Sequence, residues 1–311
     1  MPASRPCCSL PALLSALKPA RRLPICRLLC LTALLALPGQ SAVASERAPL
    51  AVRSALDQSV AFHGVISYDT AGSGPAPILY PAPGLAGMLA AIATHAIIAN
   101  GVQDAEKTRM REQADQILLP HRQLLGAFKY GELMEDAASL VASAPALRVL
   151  AAGAQPAAGE VLVDSLPMFY MTQDRRALVM ENTVSIKAPA SAKPYQTMIR
   201  VTSPAQGADV SDAFWFADNA RQLRQTSAVM LARSLDIVLE DMRGRAANVG
   251  VFKTVRFSEG GSERMERAEI VSTSCDQLVL RTLRGNLMAV PRQPAGAAGE
   301  ADPACAPVPQ T

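Results

Sequence analysis

The sequence predicts an α+β fold: a mostly antiparallel sheet packed with helices, among them an apolar helix followed by an amphipathic one. Three observations carry this. Apolar residues alternate with period two near Ser59–Tyr68 and repeatedly after Glu160. Their spacing changes to the helical three-and-four over 84–141 and again after Ser211. The two kinds of segment arrive in blocks (strand, helices, strands, helix, strands), an order that suits a sheet with helices on one side.

The chain opens on a different kind of segment. Lys18, Arg21, Arg22 and Arg27 precede the apolar run Leu28–Leu37, and no acidic residue occurs in the first 44 positions. Pro38-Gly39 then breaks the run, and Ala42-Val43-Ala44 supplies the small-x-small pattern that a signal peptidase accepts. The apolar run has ten residues, too few to span a bilayer. Residues 1–44 therefore resemble a Sec-type signal peptide, with cleavage expected between Ala44 and Ser45.

That expectation changes the composition that matters. The full chain carries a formal net charge of +3, but five of its basic residues lie in the leader; the remaining 25 basic and 27 acidic residues leave a net of −2. No general attraction to nucleic acid follows. Cys7, Cys8, Cys26 and Cys30 leave with the leader, so Cys275 and Cys305 are the mature cysteines. In an oxidising compartment they are expected to pair. The disulfide would close a loop of about 30 residues and contribute about 3–4 kcal/mol by the chain-entropy model. Arginine far outnumbers lysine and alanine is abundant, a usage typical of GC-rich bacterial genomes. The predicted location is the periplasm or the exterior.

The mature chain divides into 45–145, 146–290 and a tail, 291–311, with the first two parts belonging to one domain. Val60, Phe62, Ile66 and Tyr68 give the first strand, and TAGSGP after it a loop. Pro83-Gly84 opens the apolar helix, and the 23 residues Tyr80–Val102 contain no formal charge. Gly84, Gly87, Ala91 and His95 share nearly one face, a pattern that permits close helix association. The expectation is a buried helix, with membrane insertion or self-association as the alternative. From Gln103 the pattern turns amphipathic until Pro120 breaks it; His121–Val141 continues as a second helix, so a hairpin near Pro120 is expected.

Strands are expected at Glu160–Asp164, Pro167–Thr172, Ala177–Lys187 and Tyr195–Val201, with a polar turn over Gln173–Arg176. A helix follows. Ser211 or Asp212 caps it; Phe216, Ala220, Leu223, Ser227, Met230, Ser234, Val238 and Met242 form its core stripe; Gly244 stops it. Strands return at Val251–Phe257, Met265–Thr273, Gln277–Leu283 and Asn286–Val290. The tail is Pro, Ala, Gly and acid, too poor in apolar residues to pack, and is expected to be disordered.

Chemistry is hard to find. His63, His95 and His121 have no metal-ligand spacing, and no G-x-S-x-G elbow, P-loop or dinucleotide fingerprint is present. No catalytic residue, metal or cofactor is assigned. Of the triplet Phe214-Trp215-Phe216, successive helical residues point in different directions, so at least one ring is expected near the surface. Trp215 and Phe214 are the candidate partner contacts. The pattern fits a non-catalytic binding or scaffolding protein of the bacterial envelope, with an envelope protein, the membrane or a second copy as partner. The alternatives are a periplasmic hydrolase whose site is assembled from distant residues and a membrane-associated oligomer through residues 84–101.

Overall fold

The computed structural model describes residues 48–56, 58–66 and 101–292, except positions 145, 190, 192, 211 and 245–249. All of them belong to one unit, Arg47–Thr311. Its centre is a ten-stranded mixed sheet: β1 (Leu50–Ser54), β2 (Phe62–Gly64), β3 (Arg148–Leu150), β4 (Val161–Met171), β5 (Leu178–Lys187), β6 (Tyr195–Thr202), β7 (Lys253–Glu259), β8 (Ser262–Thr273), β9 (Gln277–Thr282) and β10 (Leu287–Pro291). The strand order is β3-β1-β4-β5-β6-β10-β9-β8-β7, with β2 beside β4. The sheet is mostly antiparallel, as expected, but β1 pairs in parallel with β3 and β4, β2 with β4, and β6 with β10.

The long strand β4 explains several departures from the expected pattern. Glu160–Asp164 and Pro167–Thr172 form one strand rather than two, because Pro167 sits where the ladder to β5 continues through its neighbours. One edge of β4 is shared: β1 pairs along its first half and β2 along its last three residues. The strand expected at Ser59–Tyr68 is therefore short, and Ser59 instead bridges to Lys129. The turn expected over Gln173–Arg176 forms, with Arg175 in the left-handed region at φ 58°.

The helices are α1 (Gly101–Asp115), α2 (Arg122–Ala127), α3 (Tyr130–Ala138) and α4 (Asp212–Arg243), with a 3-10 turn over Gln116–His121 that contains Pro120. Pro120 thus tightens the chain, and α1 lies on β2. The second expected helix is split at Phe128 and Lys129, where the backbone is extended to meet Ser59. Among the described residues no helix is long and apolar enough to cross a membrane. Gly84, Gly87, Ala91 and His95, of the apolar helix expected over 84–101, fall outside the described residues, as do Ala44, Ser45 and Cys305.

One face of the sheet carries the main core. Val163, Phe169, Met180, Val184, Ile199 and Leu287 meet Leu223, Leu231, Leu235 and Val238 of α4. The stripe read from the sequence is the buried face of α4, and the helix ends one residue before Gly244. A polar seam crosses this core: the Ser165 hydroxyl donates to Asn182 Oδ1 at 2.9 Å, and Asn182 Nδ2 donates to Ser234 Oγ at 2.9 Å. All three residues are fully buried, and the seam fixes the register of α4 on β4 and β5 because a slip would orphan each group.

The far end of the sheet curls back on itself. Val255, Phe257, Ala268, Leu280, Met288 and Val290 form a second core on the face away from α4. Arg200 of β6 bonds Glu259 at the end of β7 at 2.8 Å, although three strands lie between β6 and β7 in the sheet, and it also bonds Glu181 of β5 at 2.6 Å. The two carboxylates hold the Arg200 guanidinium above its ordinary pKa despite burial. The Gly261 N–H donates to Asp174 Oδ2 at 2.6 Å, clasping the β7–β8 turn to the β4–β5 turn. Gly260 at φ 63° supplies the left-handed residue this turn needs.

Candidate functional site

Trp215 and Phe214 occupy opposite environments. Trp215 is fully buried and its indole N–H donates to the Arg175 carbonyl at 2.6 Å. Phe214 is 36 % exposed and meets Trp215 edge to face. Trp215 is thus a wedge between α4 and the β4–β5 turn, and any partner contact falls to Phe214. Beside them His121 stacks on Phe216, and its Nε2 lies 3.6 Å from Asp212 Oδ2. Asp212 also accepts from Arg175 at 2.6 Å.

Immediately after this cluster α4 is interrupted. Ala217 is extended, and Asp218, Asn219 and Ala220 all have left-handed backbones with φ between 51° and 58°. Three consecutive non-glycine residues in this region cost about 1–2 kcal/mol each. The turn redirects the chain so that Trp215 enters the core before the helix resumes along the sheet.

The resumed helix presents two faces. The core stripe packs on the sheet. A second stripe, Gln222, Gln225, Thr226, Val229 and Arg233, follows the same three-and-four spacing and lines a groove of about 470 Å³. The opposite wall comes from the end of β6 and the loop after it, through Ser203, Pro204 and Gln206. Asp276, Gln277 and Pro291 close one end. Val229 is 51 % exposed, unusual for a valine in the middle of a packed helix. Arg233 Nε donates to Gln277 Oε1 at 2.7 Å, which holds its guanidinium at this end. Cys275 lies next to this end, in the β8–β9 turn.

A second cluster sits at the same C-terminal end of β4, beside the β4–β5 turn. His63 Nδ1 is 3.1 Å from Asp115 Oδ2, and the Gly64 N–H donates to Asp115 Oδ1 at 2.8 Å. The His63 ring is 5.9 Å from the ring of Tyr170, its register partner on β4. Burial, reinforced by the charge of Glu181, pushes the Tyr170 hydroxyl above its ordinary pKa and keeps it neutral. Gly64 is required here: a Cβ would lie 1.9 Å from the Ala114 carbonyl oxygen. In a third polar group Tyr195 Oη donates to Asp241, and Arg281 pairs with the same carboxylate.

Among the described residues no group of three or more His, Cys, Asp or Glu side chains is placed to hold a metal ion. The histidine–carboxylate pair joins residues 52 positions apart, so no local motif signals it. The groove had a sequence signal, namely an apolar Val229 among Gln and Thr off the core stripe. No known protein family matches the chain, and neither curated proteins nor solved structures show significant similarity to it.

Proposed function

We propose that the chain is an exported, non-enzymatic binding protein of the bacterial envelope, and that its groove takes an extended, uncharged stretch of a partner polypeptide. Export rests on the leader, with its basic region, apolar run and Ala42-Val43-Ala44 box. Oxidation of Cys275 with Cys305 belongs to the same proposal.

The observation that carries the binding is the second stripe of α4. An extended peptide offers a backbone donor and acceptor at each residue, about 3.3 Å apart. Gln222, Gln225 and Thr226 both donate and accept, so they suit such a ligand in either direction. Val229, Met230 and Pro204 supply apolar contact for small side chains. Arg233 and Asp276 offset one another, so no strongly charged ligand is favoured. No aromatic ring among the lining residues offers a stacking platform for a sugar. An alanine- and proline-rich 12-residue peptide should bind saturably in fluorescence anisotropy. Val229→Glu should weaken it at least tenfold, whereas Met265→Glu, remote on β8, should not. Equal binding by both variants refutes the assignment.

A second reading, a hydrolase, is favoured by one observation: His63 is oriented by Asp115 beside a neutral Tyr170, an arrangement able to accept a proton from water. Turnover of an ester or peptide substrate that disappears in His63→Ala would establish it.

A further inference from the structure

Resting on the groove reading above, we infer that the chain's own C-terminal segment, Gln293–Cys305, occupies the groove as an intramolecular competitor, tethered by Cys275. The starting point is where the described chain ends. Pro291 lines the groove. The next residue, Arg292, donates its backbone N–H to the Asp276 carbonyl at 2.8 Å and its guanidinium Nη1 to the Ser274 carbonyl at 3.3 Å. The exit of the chain is therefore clasped to the turn that carries Cys275. A segment that leaves at Arg292 and returns its Cys305 to Cys275 starts and finishes at the same end of the groove.

Its length suits the trip. Twelve residues lie between Arg292 and Cys305, with Gly299 near the midpoint, where a glycine favours reversal. Six residues of extended chain reach about 19 Å. The helix from Gln222 to Arg233 is about 16 Å long. The segment QPAGAAG consists largely of small residues and prolines, which suit a narrow groove walled by Pro204 and Pro291. The tether forms when both thiols are oxidised. Two protons and two electrons leave, and the disulfide of a thiol oxidase accepts them, becoming a dithiol.

The test uses the full mature chain. With p-benzoylphenylalanine at position 229, irradiation should give intramolecular adducts mapping to residues 293–304. The same probe at position 265 should give none. Reduction of the protein should also raise its affinity for the 12-residue Ala/Pro peptide about tenfold, by releasing the competitor. Absence of 293–304 adducts from position 229, together with equal peptide affinity in oxidised and reduced protein, overturns the inference and leaves the groove reading intact. Adducts without peptide binding in either state uphold the docked tail and refute the groove as a partner site.

Discussion

Trp215 and Phe214 are neighbours in sequence with opposite fates, and the difference is measurable. Trp215 fills a fully enclosed space and satisfies its N–H on Arg175. Trp215→Ala should cost about 3–5 kcal/mol in urea unfolding, the usual penalty for emptying a large aromatic site. Phe214→Ala should stay within about 0.5 kcal/mol. The reverse ranking would place the wedge on the wrong residue. Asp174 offers a pH test. Burial opposes its ionisation, but the Thr172 hydroxyl and the N–H groups of Arg176 and Gly261 outweigh it and hold the carboxyl below its ordinary pKa. A depressed folded-state pKa stabilises above the unfolded pKa, and the gain is lost as pH falls through the folded value. Asp174→Asn should therefore destabilise the protein at neutral pH, by no more than about 0.5 kcal/mol because the carboxylate is solvent-screened, and the gap to wild type should close in acid. A gap independent of pH would contradict the clasp. At this scale the sequence was a partial guide: that one aromatic of the triplet must face outward follows from helix geometry, whereas which one depends on a turn at Arg175 that no local pattern reveals.

At the scale of elements, regular periodicity was legible and context was not. The strands β4–β10 and the buried stripe of α4 follow from alternation and three-and-four spacing. The strands β1 and β3 were missed because five and three residues are too few to show a period. They exist as strands because β4 offers its edge. The break inside α4 was equally hidden, since Asp218 and Asn219 are ordinary helix-surface residues by spacing and Ala220 falls on the core stripe of a continuous helix. Asp218 is exposed, and its ion pair with Arg221 is a surface contact of little worth. Asp218→Gly should therefore stabilise the protein by about 0.5–1 kcal/mol, because glycine adopts the left-handed backbone without steric cost. A loss of about 1 kcal/mol, the ordinary penalty for glycine within a continuous helix, would mean that α4 is unbroken in solution.

At the scale of the whole molecule, the fold sets one task to each surface. The face under α4 is core, the curled end is closed by Arg200 between Glu181 and Glu259, and the outer stripe of α4 is left to line the groove. The export proposal makes a plain prediction: mass spectrometry of the envelope fraction should find a mature N-terminus at Ser45. An intact Met1 in cytosolic material would remove the compartment on which the cysteine pair depends. The groove itself carries the central claim. In an amide NMR titration of the mature protein with the 12-residue Ala/Pro peptide, shift changes should concentrate at 202–206, 222–233 and 276–277. Saturable binding whose changes instead gather around His63, Asp115 and Tyr170 would contradict the account.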